Sequence, residues 1–101
     1  MTATAGAHRV ADAPQVHDLK CQPPYFEQLV SGDKPFEFRE DDRGYRIGDV
    51  LHLREFDPAS REGYTGQVCD RVVTYVLRRD LHVPLPAGWV VLGLRPFEGA
   101  R

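Results

Sequence analysis

Apolar and polar positions recur along this chain with two different periods, and the switches between the periods mark out its elements. Val16-His17-Asp18-Leu19-Lys20-Cys21 alternates roughly apolar and polar, which predicts a short strand that Pro23-Pro24 brings to an end. Over Tyr25–Ser31 the spacing becomes helical, with Phe26, Leu29 and Val30 at i, i+3 and i+4. Pro24 suits the first helical position and Gly32 a left-handed C-cap. A helix of about two turns must be held by packing against the rest of the fold. Phe36-Glu37-Phe38-Arg39 returns to strict alternation, with the two Phe on one face and Glu37 and Arg39 on the other. Glu40–Gly48 reads as a charged loop and Val50–Phe56 as the next strand. Asp57–Gly63 reads as a polar turn in which Pro58 stops further pairing. Thr65–Leu77 is the longest β-type run and predicts a bend or bulge. Arg78–Ala87, with Pro84 and Pro86, is an irregular connection, and the nearly continuous apolar run Gly88–Leu94 predicts a central buried strand. Five short strands and one early helix point to a mainly β, α+β domain: a strongly twisted or closed sheet with the helix plugging one end.

At 101 residues the chain has the size of one domain. Residues 1–14 offer only Val10 as a sizeable apolar side chain and read as a disordered tail, followed by an ordered domain over 15–96 and a short tail over 97–101. Apolar runs fall short of the roughly 20 residues that cross a bilayer, which predicts no membrane partner. The opening Met1–Ala7 has neither a basic n-region nor an apolar h-region, so the expected location is cytoplasmic. A formal charge of −2 argues against a global field for nucleic acid and leaves room only for a local patch. Of 13 basic residues, only Lys20 and Lys34 are Lys. That Arg excess suits phosphate and base edges, and equally suits an Arg-favouring genome. Cys21 and Cys69 form no C-x-x-C pair and read as two buried, reduced thiols.

Candidate chemistry concentrates in Gly32–Arg39, where Lys34, Glu37 and Arg39 bring an ammonium, a carboxylate and a guanidinium into one turn and strand. Glu37 and Arg39 should stand about 7 Å apart on one face. Two readings are open: a solvated row of ion pairs worth little, or a cleft in which Glu37 accepts from a base while Lys34 and Arg39 hold phosphate or carbonyl oxygens. His17 and Lys20 flank a helix start that offers Tyr25 for stacking, although a Tyr there is more often half-buried packing and a strand His more often a hydrogen-bonded structural one. Glu40-Asp41-Asp42, with Glu55 and Asp57, lacks the ladder of a calcium loop and is neutralised by Arg39, Arg43 and Arg46, so no metal is expected. Neither a phosphate-binding glycine loop nor a G-x-S-x-G elbow occurs, and no cofactor is expected.

Taken in order, His17-Asp18-Leu19-Lys20, Tyr25-Phe26, Gly32-x-Lys34-x-Phe36-Glu37-x-Arg39, Asp42-Arg43, Gly48-Asp49, Glu55-x-Asp57-Pro58, Tyr64-Thr65-Gly66, Thr74-Tyr75-Val76-Leu77 and Val90-Val91-Leu92-Gly93 form a pattern. This pattern resembles a small bacterial and phage family of ASCH-like domains in the PUA-like superfamily. The resemblance covers residues 16–94. It implies a pseudo-barrel of five to six strands with a helix after the first strand and a cleft lined by the G-x-K-x-x-E-x-R motif, so that Lys34, Glu37 and Arg39 carry over directly. Lys20 and Arg43 carry over more loosely, and Tyr25 or Tyr64 would stack on a base. The implied function is an RNA-binding or modified-nucleotide-binding module, acting as a monomer. The alternative is a hydrolase, amidohydrolase-like or ribonuclease-like, working through Lys34 and Glu37 in the same cleft. Glu37 stands where the amidohydrolase branch has its Thr nucleophile, and a carboxylate cannot take that role without a change of mechanism. Asp41 stands where relatives carry Asn, which makes the loop more acidic.

Overall fold

The computed structural model describes residues 13–98, so the tail predicted over 1–14 lies outside them except for Ala13 and Pro14, as do residues 99–101 of the C-terminal tail. The elements run β1 (Val16–Cys21), α1 (Pro23–Ser31), β2 (Phe36–Glu40), β3 (Val50–Phe56), β4 (Tyr64–Arg78) and β5 (Trp89–Pro96). The five strands make one sheet in the order β1-β3-β4-β5-β2, parallel between β1 and β3 and antiparallel elsewhere. The sheet curls into a half-barrel whose edge strands, β1 and β2, line the same hollow.

The helix begins two residues earlier than its apolar spacing predicts. Pro23 and Pro24 occupy the first two helical positions, where no backbone N–H is needed inside the helix, and the Tyr25 and Phe26 N–H groups close on the Gln22 carbonyl at 3.0 and 2.8 Å. At the far end Gly32 takes φ +90°, the left-handed conformation that costs a residue with a Cβ, and donates to the Leu29 carbonyl. The Lys34 N–H then returns to the Gln28 carbonyl at 3.0 Å, which fixes where the Lys34 side chain leaves the turn. α1 lies against β3 and buries Phe26 and Leu29.

The core is the concave face of the sheet: Leu19 and Cys21 from β1, Leu51 and Leu53 from β3, Val73 from β4, and Val90, Leu92 and Leu94 from β5. Each fully buried aliphatic side chain contributes about 1.5–3 kcal/mol. The second thiol, Cys69 on β4, is only half-buried and packs against this core from its margin. Val72 and Val73 are both buried where β4 shifts register against β5, between Val73 and Tyr75, the irregularity expected of so long a strand. β5 pairs on both sides, but its burial alternates: Val90, Leu92 and Leu94 face in while Trp89 and Val91 are half-buried, because only one face of this single sheet is covered. The charged loop 41–49 supplies a core residue, Tyr45, which is fully buried. Among the described residues no helix is long and apolar enough to cross a membrane.

Candidate functional site

The cleft follows from the register of β2 on β5. Glu37 lies opposite Leu92 and Arg39 opposite Val90, both inward-facing, so the charged members of β2 point to the concave side. Phe36 and Phe38 point outward and remain about two-fifths exposed. β2 is an edge strand, and on its concave side it borders the gap toward β1, where polar groups still reach water. Glu37 is therefore not part of a solvated row: its side chain is only 9% exposed, against 18% for Lys34 and 26% for Arg39.

The gap is a hollow of about 430 Å³, within the range of small-ligand sites. β1 and the residue after it contribute Lys20, Cys21 and Gln22, α1 contributes Tyr25, and the turn and β2 contribute Lys34, Glu37, Phe38 and Arg39. Lys34 Nζ stands 3.6 Å from Glu37 Oε1, and Arg39 Nη1 stands 3.5 Å from Glu37 Oε2. Neither approach has hydrogen-bond geometry, and Glu37 Oε1 and Arg39 Nη1 are both buried without a hydrogen-bond partner. Lys34 Nζ also lies 4.7 Å from the centre of the half-exposed Tyr25 ring, a cation–π contact that fixes the ammonium at the mouth. Burial, reinforced by the Glu37 charge, pushes the Cys21 thiol up to about 11 against the opposing pull of Lys34 and Arg39. It is a neutral thiol at physiological pH, not a nucleophile.

A second hollow, of about 280 Å³, adjoins the first and shares Lys20 and Arg39 with it. Its remaining lining is Asp18, Leu19, Arg43, Arg54 and Tyr64. All seven residues singled out in the sequence (Lys20, Tyr25, Lys34, Glu37, Arg39, Arg43 and Tyr64) line one hollow or the other. Sequence reasoning missed Arg54, which parallel pairing sets opposite Lys20, and also missed Asp18, Cys21, Gln22 and Phe38. For Arg54 the only signal was its place on the polar face of an alternating strand, and nothing local said which strand would lie beside it.

Other marked residues have structural roles. His17 Nε2 meets Asp49 Oδ2 at 2.9 Å and packs edge-on against Tyr45, away from both hollows. Asp41 staples its loop: Oδ1 accepts from the Gly44 and Tyr45 N–H groups and Oδ2 from Arg78 Nη1. Glu55 accepts from Thr65 Oγ1 at 2.7 Å, and Asp57 from the Ala59 N–H. The acidic positions are thus engaged separately, and among the described residues no three His, Cys, Asp or Glu side chains converge.

Residues 16–94 match the family described as Domain of unknown function (DUF3850). A segment of 42 residues is 40% identical to the "Uncharacterized 12.9 kDa protein in GpA 3'region" of Escherichia phage P2, covering 42% of this chain and 38% of the phage protein. A segment of 59 residues is 39% identical to the 1,4-alpha-glucan branching enzyme GlgB of Photobacterium profundum, covering 57% of this chain and 8% of the enzyme. The chain therefore spans well under half the length of either relative.

Proposed function

The chain belongs to the DUF3850 family, and from that premise we propose that it is a nucleotide reader: an ASCH/PUA-like module that binds RNA or a modified nucleotide in the cleft between β1 and β2. The observation that carries this reading is a pair of buried atoms that have ion contacts but no hydrogen-bond partner. Glu37 Oε1, 3.6 Å from Lys34 Nζ, is an acceptor without a hydrogen bond, and Arg39 Nη1, 3.5 Å from Glu37 Oε2, is a donor without one, on neighbouring inward positions of one strand. Leaving such groups unmade costs about 1–3 kcal/mol each, a cost that a suitable ligand removes. The Watson–Crick edge of a base sets an N–H donor beside a carbonyl or ring-nitrogen acceptor, which complements an acceptor–donor pair. Tyr25 at the mouth supplies a face for stacking. A formal charge of −2 suits binding of one or a few nucleotides by a cytoplasmic monomer better than tracking of a long backbone.

The hydrolase alternative would use the same Lys34–Glu37 pair. Among the described residues the first hollow is lined by no Ser or Thr, and Cys21 is held as a neutral thiol. A covalent route through a hydroxyl or a thiolate therefore lacks its nucleophile, and binding is the reading these residues support. The test is equilibrium titration with nucleosides and short single-stranded RNAs, comparing wild type with Lys34→Glu and Arg39→Glu. We expect saturable binding weakened by about tenfold or more in each variant, the scale of one good base-edge contact. Binding indifferent to both charge reversals would overturn the assignment.

A further inference from the structure

We infer that the second hollow is a phosphate subsite, so that the ligand is a phosphorylated nucleotide rather than a free base or nucleoside; this rests on the base-reading cleft proposed above. Lys20 from β1, Arg39 from β2, Arg43 from the following loop and Arg54 from β3 all line one small concavity, in a chain whose formal charge is −2. Four cations gathered from four parts of the fold repel one another, and the carboxylates that meet them, Asp18 at Arg54, Glu37 at Arg39 and Asp42 at Arg43, do so only through ion contacts of 3.5, 3.5 and 3.7 Å. Asp18 is 62% exposed on its side chain and pairs with Arg54 alone, at 3.5 Å. Its backbone carbonyl takes Arg43 Nη1 at 3.4 Å, which turns Arg43 toward the hollow, while the exposed Asp42 meets Arg43 Nε only at 3.7 Å. The Arg54 guanidinium carbon sits 4.0 Å from the centre of the Tyr64 ring, and a guanidinium held over a ring keeps its N–H edge free for a forked contact to an anion.

Position then identifies the anion. Lys20 and Arg39 line both hollows, so a group bound in the second is one side chain away from a base held against Glu37. One nucleotide places its phosphate one sugar away from its base, which makes phosphate the anion of matching reach and charge. The same chemistry is offered by a free mononucleotide and by a phosphate of an RNA strand.

The measurement is the ratio of nucleotide to nucleoside affinity at low salt. A nucleoside, its 5′- and 3′-monophosphates and a single-stranded tetranucleotide are titrated into wild type and into the Arg43→Gln/Arg54→Gln double variant. Folding of the variant is checked by circular dichroism. In wild type a phosphorylated ligand should bind about tenfold or more tighter than the nucleoside, as charge-assisted contacts allow. That ratio should collapse toward one in the double variant and fall with added salt. The tighter of monophosphate and tetranucleotide identifies the source of the phosphate. Equal affinity for nucleoside and every phosphorylated ligand, or a ratio that survives the double substitution, would overturn the subsite while leaving base reading intact. If nothing carrying a base binds, base reading fails, and inorganic pyrophosphate decides the subsite alone. Shifts of the Arg43 and Arg54 side-chain NMR signals on its addition uphold the subsite, and unmoved signals refute it.

Discussion

Two buried carboxylates in this domain have opposite hydrogen-bond circumstances, and replacing each tests whether Glu37 is kept for a ligand or for the fold. Asp49 is satisfied: Oδ1 accepts from the Gln15 N–H at 3.0 Å, and Oδ2 accepts from the Arg46 N–H at 3.0 Å and meets His17 at 2.9 Å. Asp49→Ala removes three contacts to an ionised acceptor and strands two backbone donors, at a cost of about 3–5 kcal/mol. Glu37 is as buried but has only two ion contacts, at 3.6 and 3.5 Å, without hydrogen-bond geometry. Its partners are about a fifth and a quarter exposed and can turn to water once it is gone. Glu37→Met keeps the side-chain length, loses a weak attraction and relieves a bare buried acceptor worth about 1–3 kcal/mol. These terms oppose each other, so we expect Glu37→Met to lie within about 1 kcal/mol of wild type, a Tm change within about 4–8 °C for a domain of this size. Urea unfolding followed by fluorescence of Trp89, the single Trp, measures both variants. A loss of about 3 kcal/mol or more in Glu37→Met would show that the carboxylate is a structural ion pair and refute the reasoning.

Two further outcomes are expected. Burial raises the Asp41 pKa, but the Arg78 hydrogen bond and the Tyr45 and Gly44 N–H groups outweigh it, leaving the carboxyl below its ordinary 3.8. The stability this confers is complete above that value and lost as pH falls through the lower folded one, so Asp41→Asn should show a shallower loss of stability than wild type in acid titrations below about pH 4. The Tyr45 hydroxyl is buried with no hydrogen-bond partner, so Tyr45→Phe should raise stability by about 1 kcal/mol in the same urea assay; a loss of that size would mean the hydroxyl is satisfied in solution.

The strands were legible where burial and periodicity agree. β3 has the predicted bounds, Val50–Phe56, and β1 the predicted Val16–Cys21, because Leu51 and Leu53 in one and Leu19 and Cys21 in the other reach the core at alternate positions, although His17 and Glu55 share those buried faces and Val16 stays exposed. Gly32 ends the helix as expected because only a residue without a Cβ takes its left-handed φ cheaply. The core role of Tyr45 was hidden, since the residues around it are charged and carry no periodicity. Which face of β2 turns inward was hidden as well. Alternation separates Phe36 and Phe38 from Glu37 and Arg39 but does not say which pair is buried, and apolar content alone would have buried the Phe.

Local order along the chain determined the elements: period-2 runs, one short helix with its prolines and glycine, and the clustering of Lys34, Glu37 and Arg39 on one turn and strand. Only the tertiary structure decided that β2 would be an edge strand facing a gap, that Glu37 would be buried there without full partners, and that Arg54 would stand beside Lys20 across a parallel pair. The physical reason is that side-chain alternation is a property of neighbouring peptide units, whereas register and curvature are set by contacts between residues tens of positions apart.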